Sequence, residues 1–272
     1  MRDTYVRISY SDKLILAISI NFCYHRLVIK IEIPQGAYEI ALSLAKQRAG
    51  RFRNQFTTKK LREQIDDPDL SKHIEGVFGY LGDMCAAIYL GIDPNELMRN
   101  MVLDTDLLAH RDECDIIYRG NRIDVKTEFY PEEKFQSVIE GTIKPKETYG
   151  CRLINDNQFR ENSKNIDVYF FATIDNLDPR KAKYWYPVGW ITTTEAKEIA
   201  PVPMWWSPSG ARLWTPAHCL PNNQLKPNGE LFDISSGPHK DYNSDHRLNP
   251  KYKSINIERF EEILSKSNLI VR

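Results

Sequence analysis

The chain has 272 residues, enough for one well-cored domain with elaborations or for two small domains. Hydrophobic residues make up 42% and charged residues 27% of the sequence, as in an ordinary soluble globular protein. The 37 basic and 37 acidic residues cancel, which excludes a polycation. Any binding to nucleic acid must therefore depend on local basic patches.

The cysteines and histidines show none of the spacings typical of metal sites. No CxxC pair occurs, which argues against a zinc ribbon, and the wide spacing argues against a disulfide framework. We therefore expect reduced core thiols in an intracellular, cytoplasmic protein, at Cys23, Cys85, Cys114, Cys151 and Cys219. The six histidines form no HxH, HExxH or HNH-like pattern and are interpreted as surface or core side chains.

Two apolar runs lie near the start of the chain. Leu14–Tyr24 is shorter than the roughly 20 apolar residues that cross a bilayer, and no small-residue cleavage site follows it. It is predicted to be a β-strand, with no membrane as a partner. Leu27–Ile33 alternates apolar and charged residues and also predicts a strand. Whether residues 1–28 instead form a poorly packed extension is left open.

The next segments predict helices. Tyr38–Arg53 reads as a helix, and a basic stretch continues to Arg62, which indicates either a solvated helix face or phosphate contacts. Seven basic residues and no acidic residue lie in this stretch: Lys46, Arg48, Arg51, Arg53, Lys59, Lys60 and Arg62. Ile74–Leu90 has apolar residues at the 3.6-residue period, and Gly91 is placed to end the helix. Its internal glycines indicate close packing or a nearby strand; they are Gly76, Gly79 and Gly82.

The second half of the chain is rich in predicted strands. Asp115–Phe129 predicts a β-hairpin that turns at Arg119–Asn121, because Gly and Asn are typical turn residues. Two further strands, a short helix, an irregular region with one or two edge strands, and a terminal helix follow; they are Asp167–Ile174, Lys183–Thr192, Thr193–Ile199, Pro201–Pro250 and Ile255–Lys266. This order predicts an α/β or α+β fold with a mixed central sheet flanked by helices.

The hairpin carries the chemistry. Asp124 and Lys126 lie two residues apart on one strand and share a face, while Val125 points to the other side. Asp115 opens the first strand and can approach Asp124 across the turn. Two carboxylates this close favour a hard divalent cation such as Mg²⁺ between them, and an ammonium beside it can position or deprotonate a water. Glu128 shares this face, and we expect it to support the site.

This pattern resembles the core of PD-(D/E)xK nucleases, in which an aspartate is followed across a hairpin by Asp/Glu-x-Lys. The segment from Gly79 to Ala86 resembles the first core helix of that superfamily. In that match Asp83 takes the position of the helix acid, with Glu75 as the alternative. The strand that begins at Asp167 and the segment Val188–Ile191 resemble nucleases of the superfamily from phages and prokaryotes. The resemblance covers roughly residues 74 to 199. The chain departs from the family at Cys114, where the name-giving proline would stand, and it has no Gln-xxx-Tyr motif after Lys126.

The resemblance implies a restriction-endonuclease-like core that hydrolyses DNA with Mg²⁺ or Mn²⁺. Asp83, Asp115 and Asp124 would bind the metal with the Val125 carbonyl, and Lys126 would position the attacking water. We expect one domain over residues 1–272, divided into an N-terminal extension or strand (1–34), a nuclease core (35–199) and an irregular elaboration (200–272). A homodimer is one conceivable assembly.

Two alternatives remain open at the level of sequence. The chain could be an inactive member of the fold that only binds nucleic acid, or a nuclease of the same fold that acts on RNA. Endonuclease and exonuclease action are not distinguished. Base stacking by tryptophans is a further hypothesis, beside ordinary packing, for Trp205, Trp206 and Trp214.

Overall fold

The computed structural model describes residues 4–8, 16–20, 28–47, 65–103, 114–147, 149–202, 216–237 and 262. Ten strands lie in these ranges: β1 Thr4–Ile8, β2 Leu16–Ile20, β3 Val28–Glu32, β4 Ile116–Tyr118, β5 Asn121–Phe129, β6 Cys151–Asn155, β7 Val168–Ile174, β8 Tyr184–Thr192, β9 Pro201–Val202 and β10 Ala217–Pro221. The α-helices are α1 Ala37–Gln47, α2 Pro68–Tyr89, α3 Pro94–Leu103, α4 Glu132–Ile139, α5 Asp156–Asn162 and α6 Thr193–Lys197. Two 3₁₀ turns follow at Asn222–Gln224 and Asn228–Asp233.

The strands form one large mixed sheet and one small sheet. The large sheet has the order β1-β2-β3-β8-β7-β5-β4, and the small sheet has the order β6-β10-β9. Strands β5 and β7 are parallel, and the other strand pairs are antiparallel. A parallel pair needs a crossover, which the chain supplies through α4, β6 and α5. The predicted mixed central sheet with helices is confirmed.

The two faces of the large sheet bury different sets of apolar side chains. One face packs against α1 and α2, with Val125, Phe170 and Trp185 in its core. The other face packs against the region of α4, α5 and β10, with Phe171 and Phe159 in its core. Alternation along β5 therefore places Val125 in the helix-covered core and leaves Asp124, Lys126 and Glu128 on the opposite face.

Helix α2 begins two turns earlier than the predicted start at Ile74. Asp67 caps it by accepting hydrogen bonds from the backbone N–H groups of Asp69 and Leu70, and Pro68 occupies the first turn. An aspartate followed by proline is a typical helix start, so the sequence contained this signal. The predicted end is confirmed, because Gly91 follows the helix with a φ of 75°, a left-handed conformation that favours glycine.

The hairpin forms with a tighter turn than predicted. Tyr118 pairs directly with Asn121, so the turn consists of Arg119 and Gly120 alone. Both have positive φ, 47° and 71°, as a type I′ turn requires. Asn121 belongs to β5 instead, where its side-chain amide donates to the Ser235 carbonyl at 2.8 Å.

Other predicted boundaries change by a few residues. The predicted segments that begin at Leu27, Tyr38, Asp167, Lys183 and Thr193 correspond to β3, α1, β7, β8 and α6. Residues 48–53 of the predicted helix Tyr38–Arg53 lie outside the described residues. Strands β1 and β2 extend the large sheet, although the prediction included only β2. The predictions omitted α3, α4, β6 and α5. Three of these are helices of 7 to 10 residues, too short for a clear periodicity.

The prediction of an irregular C-terminal region with edge strands was wrong at β10. This strand is the centre of the small sheet, between β6 and β9. Leu231 is buried in the core that lies between α1, α2 and the large sheet, so this C-terminal region contributes to that core. The predicted terminal helix lies outside the described residues except for Glu262, which is helical.

The described cysteines are free thiols, and those at 85, 151 and 219 are buried. Their free state agrees with the predicted reduced thiols, although Cys23 lies outside the described residues. In the part of the chain that the structure describes, no helix is long and apolar enough to cross a membrane.

Helix α2 approaches strand β5 closely at Gly82. A Cβ atom at this position would lie 1.9 Å from Thr127 Oγ1 and 2.8 Å from Thr127 Cβ. Gly79, one turn earlier, has no heavy atom within 4 Å of the corresponding Cβ position. The close packing expected from the glycines of this helix is therefore present at Gly82.

These two glycines give a matched pair of variants. Gly79→Ala should raise the free energy of unfolding by about 0.5–1 kcal/mol, because alanine favours the helix and meets no neighbour. Gly82→Ala should lower it by about 1–2 kcal/mol, since overpacking against Thr127 outweighs the same gain. Urea unfolding measures both values. Equal stabilisation by both variants would contradict the close approach of α2 and β5.

Candidate active site

Strand β4 is short and pairs with only the first residues of β5. It begins at Ile116 opposite Ile123, and the Asp115 amide donates to the Ile123 carbonyl at 2.9 Å. Alternate amides of a strand point to the same side, so the Val125 N–H points to the β4 side of β5, where no described strand pairs with it. Asp115 Oδ2 accepts this N–H at 2.7 Å. The Asp115 carboxyl group therefore lies at the edge of β5 beyond β4.

Asp115 and Asp124 contact each other. Their carboxyl groups share a hydrogen bond, and Asp124 is only 6% exposed. Burial raises the pKa of Asp115 to about 7, the negative charge of Asp124 adds to this effect, and Lys126 and the Val125 amide oppose it. Near neutral pH Asp115 therefore releases its proton readily to solvent. A cation could take the place of that proton between the two carboxyl groups.

Lys126 is the cation of the site. Its Nζ lies 2.7 Å from Asp124 Oδ1, and its side chain is 21% exposed. Burial lowers the pKa of Lys126, but the charges of Asp124, Asp115 and Asp83 together outweigh that effect and raise it. Lys126 therefore keeps its proton at neutral pH and donates hydrogen bonds. Of the two roles considered for it, positioning a water is favoured over deprotonating one.

The two candidate helix acids differ in their relation to this site. Asp83 is buried on α2, and its charge is among those that raise the pKa of Lys126, although it contributes less than Asp124 and Asp115. Glu75 is partly exposed and is not among the main charges that act on Lys126. The structure brings Asp115, Asp124 and Lys126 into contact, with Asp83 near enough to add its field.

The donor set suits a hard divalent cation, although it offers fewer protein ligands than the resemblance implies. Among the described residues, no group of three or more His, Cys, Asp or Glu could hold a metal ion. Asp83 therefore does not complete a three-carboxylate group, and its role as a ligand stays a prediction, as does that of the Val125 carbonyl. Mg²⁺ is commonly bound by only one or two carboxylates together with waters and substrate phosphates. The Asp115–Asp124 pair fits that mode.

Glu128 belongs to a buried network that the sequence did not reveal. Arg152 of β6 is fully buried, and its Nη1 donates to Glu128 Oε2 at 2.6 Å. Its Nε donates to Asn222 Oδ1 at 2.9 Å, and another nitrogen donates to the Tyr149 carbonyl. The Tyr130 hydroxyl also donates to Glu128. Glu128 thus joins the strand of Asp124 and Lys126 to the small sheet.

Most of the predicted nucleic-acid contacts lie outside the described residues. This holds for the three tryptophans and for the basic stretch after Lys46. Lys46 itself pairs with Asp69 at the surface. The buried His218 lies with Nδ1 2.7 Å from the Ile199 carbonyl oxygen and Nε2 3.3 Å from Asp156 Oδ1, in keeping with a core histidine.

No protein-family model, curated protein or solved structure matches this chain. The likeness to PD-(D/E)xK nucleases therefore depends on the residues of the hairpin and of α2. DNA as a partner, Mg²⁺ as a cofactor and a homodimer stay predictions. The geometry of Asp115, Asp124 and Lys126 is the observation on which a function can be argued.

The raised pKa of Asp115 predicts a pH-dependent stability. Between about pH 4 and pH 7 the unfolded chain ionises Asp115 while the folded chain keeps it protonated, so this group lowers stability as pH rises. Asp115→Asn removes this titration and keeps an acceptor for the Val125 amide. In chelator-treated samples, the unfolding free energy of the variant minus that of the wild type should increase from pH 4 to pH 7 and then level off.

The matched control for this titration is Asp66→Asn, which changes an exposed aspartate before α2. It removes one surface carboxyl group without touching the carboxyl pair, so a pH dependence found for Asp115→Asn and not for Asp66→Asn belongs to the pair. Parallel curves for Asp115→Asn and the wild type would show that the pKa of Asp115 is not raised in the folded protein.

The Arg152 network predicts a large effect of one substitution. Arg152→Met leaves Glu128 without its cation and should lower the free energy of unfolding by about 3–5 kcal/mol. Adding Glu128→Gln should recover part of this loss, because no charge is then left unpaired. The control is Arg180→Met, which removes the partly exposed ion pair between Arg180 and Asp178, whose N···O distance is 2.7 Å. This change should lower the free energy of unfolding by at most about 1 kcal/mol. Similar losses for both arginines would contradict a structural role specific to Arg152.

Proposed function

We propose that this chain is a metal-dependent nuclease of the PD-(D/E)xK type that hydrolyses phosphodiester bonds of DNA. The observation that supports the proposal is the contact of two carboxyl groups and one ammonium at the edge of β5 beyond β4, where no described strand pairs with it. Asp115 and Asp124 share a hydrogen bond, and Lys126 Nζ lies 2.7 Å from Asp124. A purely structural ion pair would not need a second carboxyl group, since the second one adds repulsion.

In this proposal Asp115 and Asp124 hold the cation. Bound there, Mg²⁺ or Mn²⁺ would supply the Lewis acidity and activated water that phosphodiester hydrolysis needs. The protein keeps Asp115 in place through the Val125 N–H, so one oxygen of the pair is fixed by the backbone. Asp83 adds negative charge from α2 and thereby helps to retain a cation.

Lys126 acts on the substrate side of the site. Its raised pKa keeps it charged, and its partial exposure leaves the ammonium within reach of a phosphate oxygen. A fixed positive charge at that place stabilises the negative charge that develops on the phosphoryl group. Moving from Asp124 to the phosphate would also free an oxygen of Asp124 for the cation.

The test uses supercoiled circular DNA, linear DNA and single-stranded RNA, each with Mg²⁺ or with a chelator. Wild-type protein should cut DNA only with the metal, and Asp124→Asn and Lys126→Met should each slow cutting by about 10²–10³-fold or more. Asp66→Asn, an exposed aspartate away from the site, should cut at the wild-type rate. Gel analysis of the products separates cutting of the circle from digestion of ends.

The outcomes distinguish a DNA nuclease from an RNA-directed nuclease and from an inactive protein that only binds nucleic acid. DNA cutting that Asp124→Asn leaves unchanged would show that the hairpin is not the active site. Cutting confined to RNA would identify an RNA-directed nuclease of the same site. Binding of nucleic acid without cutting, with every metal tried, would favour an inactive member of the fold.

A further inference from the structure

A tyrosine that the proposed mechanism does not use lies beside Asp124. In the parallel pairing of β5 and β7, Tyr169 is the direct partner of Asp124, so both side chains lie on the same face. The negative charge of Asp124 contributes to raising the pKa of the Tyr169 hydroxyl, after burial. The hydroxyl therefore lies within the field of the carboxyl pair.

The Tyr169 hydroxyl is buried and has no hydrogen-bond partner among the residues that the structure describes. The residue is 1% exposed, and within those residues its oxygen is one of the buried side-chain atoms that lack a partner. Its ring stacks on Phe159 at a centroid distance of 5.7 Å and an interplanar angle of 27°. Stacking and burial hold the ring on the face of the sheet that carries Asp124. A buried hydroxyl is normally paired, so an unpaired hydroxyl on the face that carries Asp124 points to that carboxyl group as a partner it can gain.

We propose that Tyr169 is a positioning residue whose hydroxyl donates a hydrogen bond to Asp124 when a divalent cation occupies the Asp115–Asp124 pair. In the structure, Asp124 accepts from Asp115 and Lys126. A cation held by the pair would replace the shared proton and would reorient the Asp124 carboxylate. An ionised carboxylate has about four lone-pair sites, so one site would remain for a further donor, and Tyr169 is the donor that the pairing of β5 and β7 places beside Asp124.

This inference rests on the proposed function only in requiring a cation at the pair. Nuclease activity is not needed for it. A hydrogen bond to a metal-binding carboxylate fixes its orientation, and loss of such a partner typically weakens metal binding or activity by about 10–100-fold. The burial of the hydroxyl keeps it away from substrate, so its effect must pass through Asp124.

The test is Tyr169→Phe, which removes the hydroxyl and keeps the stacked ring. The matched control is Tyr89→Phe, since Tyr89 also carries a buried hydroxyl without a partner but lies on α2, in the core of the opposite face. Isothermal titration calorimetry measures Mg²⁺ and Mn²⁺ affinity for the wild type and both variants. Tyr169→Phe should bind about 10–100-fold more weakly, and Tyr89→Phe should match the wild type.

Urea unfolding in chelator provides a second readout. Tyr169→Phe should unfold at the same urea concentration as the wild type or a higher one, because no bond is lost in the cation-free state. Unchanged cation affinity in Tyr169→Phe, or a wild-type protein that binds neither cation, would overturn the inference. So would a clear loss of stability in chelator. Weakened binding in Tyr169→Phe by a protein that cuts no nucleic acid would uphold it and overturn only the proposed function.

Discussion

The hydrogen bond between the carboxyl groups of Asp115 and Asp124 is the contact around which the candidate site is arranged. Two carboxyl groups this close cannot both carry full charge without a partner, and burial adds to the cost. The Val125 amide and the ammonium of Lys126 offset part of this cost. The rest raises the pKa of Asp115 to about 7, so that this carboxyl group keeps its proton below that pH. A divalent cation at the pair, as proposed, would relieve the same repulsion.

The short strand β4 makes this arrangement possible. If β4 continued past Ile116 in regular pairing, its backbone would take the Val125 N–H and cover the edge of β5. Because the pairing stops there, a carboxylate takes the amide instead. The edge also lies between the two faces of the sheet, so that the charge of Asp83 on α2 can act on Lys126. Because β4 starts only at Ile116, charged groups from β5, α2 and the residue before β4 meet at this edge of β5.

The small sheet is linked to β5 through the side chain of Arg152. Arg152 brings a buried guanidinium from β6 to Glu128, two residues beyond Lys126 on β5. The same guanidinium donates to Asn222, which follows β10. Both β6 and β10 are therefore linked through Arg152 to β5. A buried charge with several partners permits little displacement, because every shift would leave a donor unpaired. The Glu128 end of β5 is therefore held rigidly.

The sequence by itself determined the local part of this picture. Alternation in Asp124-Val125-Lys126 set which side chains share a face, and the Gly120 turn set the hairpin that brings Asp115 near Asp124. The period of α2 and the left-handed Gly91 were equally local, because they depend on backbone conformation over a few residues. Such features follow from neighbours in the chain, which the sequence shows directly.

Only the tertiary structure decided which distant residues join the site. Tyr169 lies beside Asp124 because β5 and β7 pair in one particular register, and Arg152 reaches Glu128 because β6 crosses between those strands. The effect of the Asp83 charge on Lys126 depends in the same way on how α2 packs against Thr127 at Gly82. Strand register and helix packing arise from contacts between residues tens of positions apart, and no local pattern in a single sequence encodes them.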